Sequence, residues 1–269
     1  FSILPAIQSS PFATINVRGG AEASAIGDRL NLVGTAGDDS FDLSGQTVQS
    51  GGVTVNGVGV EKIGLGAGDG SDLITYNGVD GVSEDINIIG SAAAGAGHLV
   101  VPGVAAYQFT GVELFDVNAN DGLAGDTDTL TFTGTNDRDT FDINLNAAGT
   151  TADPVLQLKN ASGNTTQLTL RDYTGFLTLN IMGLHGKDVF NVYTGPDVGR
   201  EIFIDAGLPA GKKKETDLLR VFYQMPRPRI IHSAATQDPD SGIVDLLYDS
   251  GQRSVIQYTG IENVVIRKY

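Results

Sequence analysis

Asp28-Arg-Leu-Asn-Leu-Val-Gly-Thr-Ala-Gly-Asp-Asp-Ser-Phe-Asp-Leu43 and Asp128-Thr-Leu-Thr-Phe-Thr-Gly-Thr-Asn-Asp-Arg-Asp-Thr-Phe-Asp-Ile143 align without a gap at an offset of 100 residues. Asp28, Leu30, Gly34, Thr35, Asp39, Phe41 and Asp42 return as Asp128, Leu130, Gly134, Thr135, Asp139, Phe141 and Asp142. Apolar positions alternate with polar ones in each copy: Leu30 and Leu32 before the Gly-Thr turn, Phe41 and Leu43 after it. A period of two is that of a strand with one buried face. The same period continues through Val53 and Val55, Ile63 and Leu65, Leu156 and Leu158, Leu168 and Leu170, and Leu177, Leu179 and Ile181. Glycine, asparagine and aspartate cluster between these runs, and such residues reach tight-turn and left-handed conformations. No apolar stripe of helical period is longer than two turns. The best candidate, residues 92–99, carries Gly95 and Gly97 and reads as a loop. The chain is therefore read as all-β, with many short strands.

Further phrases recur around this core. Gly-Val-Glu-Lys-Ile-Gly-Leu at 59–65 returns as Thr-Gly-Val-Glu-Leu-Phe-Asp-Val at 110–117 and Tyr-Thr-Gly-Ile-Glu-Asn-Val-Val-Ile at 258–266, with a worn copy at 173–181. An Ile-x-Ile phrase appears as Ile15-Asn-Val17, Ile86-Asn-Ile88 and Ile202-Phe-Ile204. Preserved order with unequal spacing predicts an elongated β-solenoid, parallel β-helix-like, of degenerate repeats with insertions in its loops. Tandem β-sandwich domains are the alternative, since each would be about 100 residues long. The expected organisation is an extended arm over 1–14 and a repeat domain over 15–269, with cassettes at about 15–80, 81–195 and 196–269.

Composition limits function. The chain has 269 residues, 32 Asp and Glu against 17 Lys and Arg, and a net charge of −15. Such a surface repels nucleic acid and anionic membranes. With 41% apolar residues it can build a core, and with no cysteine it has neither disulfides nor a thiolate nucleophile. No apolar run is long enough to span a bilayer as a helix. The chain opens on Phe1 rather than Met, from which processing or trimming is expected.

Gly37-Asp-Asp-Ser-Phe41, Gly186-Lys-Asp-Val-Phe190 and Gly68-Asp-Gly-Ser-Asp-Leu73 resemble pieces of the calcium-binding nonapeptide of RTX proteins. The chain as a whole is similar to the Gly-Asn-Asp-Thr-Phe and Gly-Val-Glu-rich repeats of large bacterial surface proteins. That resemblance implies that each aspartate of an Asp-x-apolar step faces a Ca2+ ion while the apolar side chain faces the core. The half-motifs here stand tens of residues apart rather than in tandem, and the copy at 134–141 has Asp137 where the first has glycine.

Calcium takes six to eight oxygen ligands. Asp39, Asp69, Asp72, Asp121, Asp126, Asp128 and Asp139 are the candidate ligands, the loops 69–72 and 121–128 being the best placed. Turn formation is the competing role for every one of them. His98, His185 and His232 lie in different cassettes without a partner at ligand spacing. No nucleophile elbow or phosphate-binding loop is present, and the expectation is a protein without catalytic residues. Two basic stretches, Lys212-Lys-Lys-Glu215 and Met225-Pro-Arg-Pro-Arg229, read as loops, with contact to the acidic surface of a neighbouring copy as their functional alternative.

An open end strand templates association. Phe1, Ile3, Leu4, Ile7 and Phe12 form an apolar, proline-punctuated arm, and Ile261, Val264 and Ile266 form a final strand with no polar cap after it. The expected function is a structural subunit of an extracellular or cell-surface filament or layer, joining head to tail with copies of itself through the arm and its uncapped edges. The alternatives are a calcium-stabilised adhesin or surface-layer segment, with glycans or other surface proteins as partners, and thirdly a carbohydrate-active enzyme on a β-helix.

Overall fold

The computed structural model describes residues 2–3, 14–20, 27–119, 128–145, 153–171, 176–195, 201–207, 216–224, 227–236 and 238–268. All regular structure among them is β, in two twelve-stranded sheets called A and B. Sheet A holds β1 (Ser2–Ile3), β3 (Arg29–Val33), β7 (Lys62–Gly66), β9 (Asp85–Gly90), β10 (Gly97–Val100), β11 (Ala106–Thr110), β13 (Asp128–Thr133), β17 (Phe176–Met182), β19 (Glu201–Asp205), β21 (Arg229–Ala234), β22 (Gly242–Leu247) and β23 (Arg253–Thr259). Sheet B holds β2 (Thr14–Arg18), β4 (Ser40–Ser44), β5 (Thr47–Ser50), β6 (Val53–Val58), β8 (Leu73–Asn77), β12 (Leu114–Asn118), β14 (Thr140–Asn144), β15 (Val155–Lys159), β16 (Thr165–Arg171), β18 (Val189–Thr194), β20 (Leu218–Tyr223) and β24 (Asn263–Lys268).

From β3 onward the chain alternates between the sheets. On each visit it makes either one strand or a three-stranded meander. Single visits pair in parallel with the visits before and after, as β4 with β8 and β8 with β12. The meanders are β4–β5–β6 and β14–β15–β16 in sheet B, and β9–β10–β11 and β21–β22–β23 in sheet A. Each meander folds back toward the earlier strands, so that its third strand pairs with the previous visit: β11 with β7, β16 with β12, β23 with β19. A meander adds two extra strands to its sheet. Placing meanders in B, A, B and A in turn keeps both sheets at twelve, a length of about 50 Å at the usual strand spacing.

Burial follows the sequence period. Leu30, Leu32, Phe41 and Leu43 are fully buried, as are their counterparts Leu130, Phe132, Phe141 and Ile143. One apolar core runs between the two sheets for their whole length. Side chains from the two sheets meet there: Phe109 of β11 lies 4.6 Å from Phe115 of β12, and Phe141 of β14 stacks on Phe190 of β18 at 5.1 Å while meeting Phe132 of β13 edge-on at 6.0 Å.

The repeated phrases acquire a structural meaning. The 100-residue offset superposes β3 and β4 on β13 and β14, the visits that open the two sheet-B meanders. Gly-Val-Glu and Gly-Ile-Glu mark the exits: Gly59 follows β6, Gly111 follows β11 and Gly260 follows β23. All three glycines have positive φ, between 67° and 72°. The worn copy at 173–181 begins outside the described residues, directly after the meander that ends in β16. The Ile-x-Ile phrases mark no common position: Ile15 and Val17 lie on the edge strand of sheet B, whereas Ile86, Ile88, Ile202 and Ile204 lie inside sheet A. Any strand with one buried face produces such a pair.

Candidate functional site

The acidic residues cluster at the corners, where the chain passes from one sheet to the other. From β3 onward, all seven crossings from sheet A to sheet B end on an acid just before the new strand: Asp39, Asp72, Glu113, Asp139, Asp188, Asp217 and Glu262. The residue two places on is apolar in each case and is buried in six, Val264 being half-buried. Alternation explains this: if i+2 faces the core, then i points the same way, at the edge where the strand begins.

Five of these seven carboxylates accept a hydrogen bond from the main-chain N–H of the acid one rung earlier. Asp72 Oδ1 accepts from the N–H of Asp39 at 2.7 Å, and Glu113 Oε2 from that of Asp72 at 3.1 Å. A second column joins Asp188 to Asp139, Asp217 to Asp188 and Glu262 to Asp217, each at 2.7 Å. On the opposite edge, Glu61 accepts from Asp28 at 2.7 Å and Asp128 from Glu84 at 2.8 Å. The columns break where a meander intervenes, between Glu113 and Asp139 and between Glu61 and Glu84. Asp39 and Asp139 also close their own corners, accepting at 2.6 Å from the N–H of Thr35 and Thr135 respectively. That contact explains the Gly-Thr-x-x-x-Asp phrase, because a Cβ on Gly34 or Gly134 would stand within 2.5 Å of the same carboxylate.

The electrostatic cost of this arrangement falls unevenly. Asp72 is 0% exposed, and its Oδ2 is buried without a hydrogen-bond partner. Burial pushes its carboxyl above the ordinary range, the bond from Asp39 N–H opposes this, and the charges of Glu113, Asp39 and Asp38 add to the rise. Asp139 is raised by burial against the bonds from Thr135. Tyr76, buried and donating to Glu84 Oε1 at 2.7 Å, has its hydroxyl pushed far above the ordinary tyrosine range, first by burial and then by that carboxylate.

Of the seven aspartates considered as calcium ligands, the five described ones are not gathered at one place. Asp39 and Asp72 are consecutive in one column, Asp139 begins another, and Asp128 lies on the opposite edge. Asp69 is exposed in the corner between β7 and β8, and Asp121 and Asp126 lie outside the described residues. Among the described residues no three His, Cys, Asp or Glu side chains converge as a metal-holding group. Sequence reasoning missed Glu61, Glu113, Asp188, Asp217 and Glu262 as members of the columns. Their signal was available: each stands directly before an alternating run, as Asp39 and Asp139 do.

The ends of the sheets hold the residues considered for self-association. Ser2 and Ile3 pair in parallel with Asn31 and Leu32 of the chain's own β3, which places the first turn of the arm on the edge of sheet A. Phe1, Leu4, Ile7 and Phe12 lie outside the described residues. Ile261 is buried, whereas Val264 and Ile266 are only partly covered against the core. The same holds at the other end for Ile15 and Val17 of β2, and for Ile230 of β21. Among the described residues nothing pairs with the outer edges of β1, β2, β21 and β24.

Of the remaining candidates, His98 lies on β10, His185 lies in the corner between β17 and β18, and His232 Nε2 is 2.9 Å from the Tyr258 hydroxyl. Lys212, Lys213 and Lys214 fall outside the described residues, while Arg227 and Arg229 lead into β21. No helix is long and apolar enough to cross a membrane. No protein-family model, curated protein or solved structure matches the chain.

Proposed function

We propose that the chain is a two-sheet β-solenoid that serves as a structural module, joining copies of itself end to end in an extracellular or cell-surface filament or layer. The observation that carries this reading is that, among the described residues, apolar side chains of the terminal strands stay partly exposed at both ends of the sheets. Among the described residues, five of the six apolar side chains that pack on the core while staying partly exposed, namely Ile15, Val17, Ile230, Val264 and Ile266, belong to terminal strands. The terminal strands also agree in direction. β24 runs parallel to β20 and β2 parallel to β6, and an even number of reversals separates them, so both point the same way. In sheet A, β21 and β1 agree for the same reason. A second copy moved along the axis therefore presents parallel edges to both sheets at once. Such a contact is heterologous and extends without closing unless the rotation makes a ring.

Charge supports head-to-tail over head-to-head contact. Residues 1–199 contain 23 acidic and 7 basic side chains, whereas residues 200–269 contain 9 and 10. Arg227, Arg229, Arg267 and Lys268 belong to or adjoin the last strands. Two copies of the basic edge formed by the last strands repel each other, which disfavours joining through that edge alone. Sedimentation velocity over rising concentration tests the reading. We expect a ladder of elongated oligomers that recedes in high salt, and a monomer throughout for Val264→Lys with Ile266→Lys, which places charge where the next core would sit. A monomer at every concentration for the unaltered chain refutes end-to-end joining.

A calcium-stabilised adhesin segment, as the RTX resemblance suggests, is the second reading. The buried, unpartnered Oδ2 of Asp72 favours it, because a cation would relieve that oxygen. A thermal melt unchanged between millimolar calcium and chelator removes it.

A further inference from the structure

Positive charge is scarce in the first three quarters of the chain, where residues 1–199 contain seven Lys and Arg side chains. Three of the seven are neighbours at the edge of sheet B where β14 begins. Lys159 of β15 stands directly across from Thr140 of β14, and Arg138 lies two residues before Thr140. Lys187 comes next to Arg138, because each directly precedes a member of the same acid column, Asp188 and Asp139. All three are exposed, and among the described residues none of their side chains has a hydrogen bond or an ion pair. Like charges side by side on a sheet cost stability. The chain's own acids do not offset them here. Asp139 is buried, and Asp142, further along β14, has its Oδ1 bonded to Asn191 Nδ2 at 2.7 Å.

Arg138 and Lys159 line a pocket of about 280 Å³ with Thr140, Asn160, Ala161 and Gly163. The corner, the two strands and the β15–β16 turn that border it are all described residues. Its back wall is fixed by Asn160, which is 8% exposed. Asn160 Oδ1 accepts from the N–H of Ser162 at 3.0 Å and of Asn164 at 3.1 Å, while its Nδ2 donates to the carbonyl oxygens of Ser91 at 3.3 Å and Ala92 at 3.2 Å. The turn is thereby tied to the β9–β10 turn of sheet A and holds its shape without a ligand. A cation would be repelled from this pocket, and an apolar ligand would strand two charges. An oxyanion suits it. The guanidinium, the ammonium and the Thr140 hydroxyl start from three corners of a triangle, since directly opposed residues have Cβ atoms about 5 Å apart and alternate residues of a strand are about 7 Å apart. Three donors match the several oxygens of a tetrahedral group better than the two of a carboxylate, and arginine pairs with such groups through two N–H bonds at once.

We propose that this pocket binds a tetrahedral oxyanion, the phosphate or sulfate group of a ligand, with Arg138 and Lys159 as charged donors and Thr140 as the third. The site is independent of end-to-end joining. Equilibrium dialysis of the full chain against radiolabelled phosphate tests it, with ionic strength held by sodium chloride and with inorganic sulfate, glucose 6-phosphate and acetate as competitors. Saturable binding of one phosphate per chain is expected, displaced by sulfate and by glucose 6-phosphate, with acetate at least tenfold weaker. Displacement by glucose 6-phosphate at lower concentration than by unlabelled phosphate identifies an esterified ligand, and displacement at the same concentration identifies the free ion. Affinity should fall at least tenfold in Arg138→Gln and in Lys159→Gln, and stay unchanged in Lys62→Gln, which removes an equal charge from sheet A. These exposed substitutions should leave the melting transition in place, so the test does not depend on a destabilised variant. No saturable binding, equal displacement by acetate, or an equal loss in Lys62→Gln overturns the proposal.

Discussion

Leu184 has φ 73° and is the one non-glycine residue with positive φ among those described. It sits in the corner between β17 and β18, where Gly207 lies one rung above it with φ 81° and Gly260 above that with φ 70°. A Cβ on Gly207 would stand 1.5 Å from the Leu184 carbonyl oxygen, so the corner turns stack too closely for a side chain there. Gly207→Ala is expected to cost about 3 kcal/mol or more in urea unfolding, because both backbone strain and overlap oppose it. Leu184→Gly should relieve strain of about 1 kcal/mol, partly offset by the lost packing of a half-buried side chain. The acid columns make a pH prediction of definite sign. Asp72 and Asp139 have carboxyls raised chiefly by burial. A raised carboxyl contributes stability in its protonated form, fully present below the ordinary carboxylate pKa and lost as pH rises through the raised value. The urea midpoint should therefore be higher near pH 5 (about) than near pH 8. Asp72→Asn keeps an oxygen for the Asp39 N–H without the charge, and should raise the midpoint at the higher pH and flatten the profile. A midpoint that falls on mild acidification, with Asp72→Asn destabilised, would show that the column depends on its charge.

Removal of Glu113 acts at the level of the element, since Glu113→Ala leaves the N–H of Asp72 without its acceptor at the start of β8. The expected cost is about 1–3 kcal/mol. The columns also specify which piece of chain is dispensable. Deleting residues 183–205 removes β18 from sheet B and β19 from sheet A, one strand each, and joins β17 to the corner that leads into β20. The carboxylate of Asp217 then stands where that of Asp188 had accepted from Asp139. We expect this variant to unfold in a single cooperative transition with a far-ultraviolet spectrum still all-β; an unfolded or molten product would show that the visits are not interchangeable. Strand existence and burial were legible in the sequence because alternation at Leu30, Leu32, Phe41 and Leu43 leaves one choice of inward face. The meanders were not. A hairpin strand such as β5 and a crossing strand such as β8 have the same period, and pairing partners are set by tertiary packing, which local pattern does not encode. The cassette boundaries drawn from Ile-x-Ile suffer from the same ambiguity. What separates the two kinds of strand in sheet B is the acid directly before a crossing, and it was read at Asp72 as an ion ligand rather than as a bond to the rung below.

For the molecule as a whole, alternating meanders give two sheets of twelve strands that are staggered: sheet B runs two strands past sheet A at the β2 end, and sheet A two past sheet B at the β21 end. The stagger is the same at both ends, the edges match in direction, and among the described residues apolar side chains stay partly exposed at each end. Net charge is concentrated in residues 1–199, so association should weaken as salt is added, in contrast to a purely apolar contact, which salt leaves unchanged or strengthens. The absence of cysteine permits a direct test of which ends meet. Asn16→Cys places a thiol on the outward face of β2 and Val265→Cys places one on the outward face of β24. Neighbouring strands bring Cα atoms within disulfide reach. Mixing the two single variants under mild oxidation and measuring the products by mass is the decisive measurement. The account predicts the mixed Asn16→Cys and Val265→Cys dimer in clear excess over either homodimer; equal statistical yields, or no mixed disulfide, would contradict end-to-end joining.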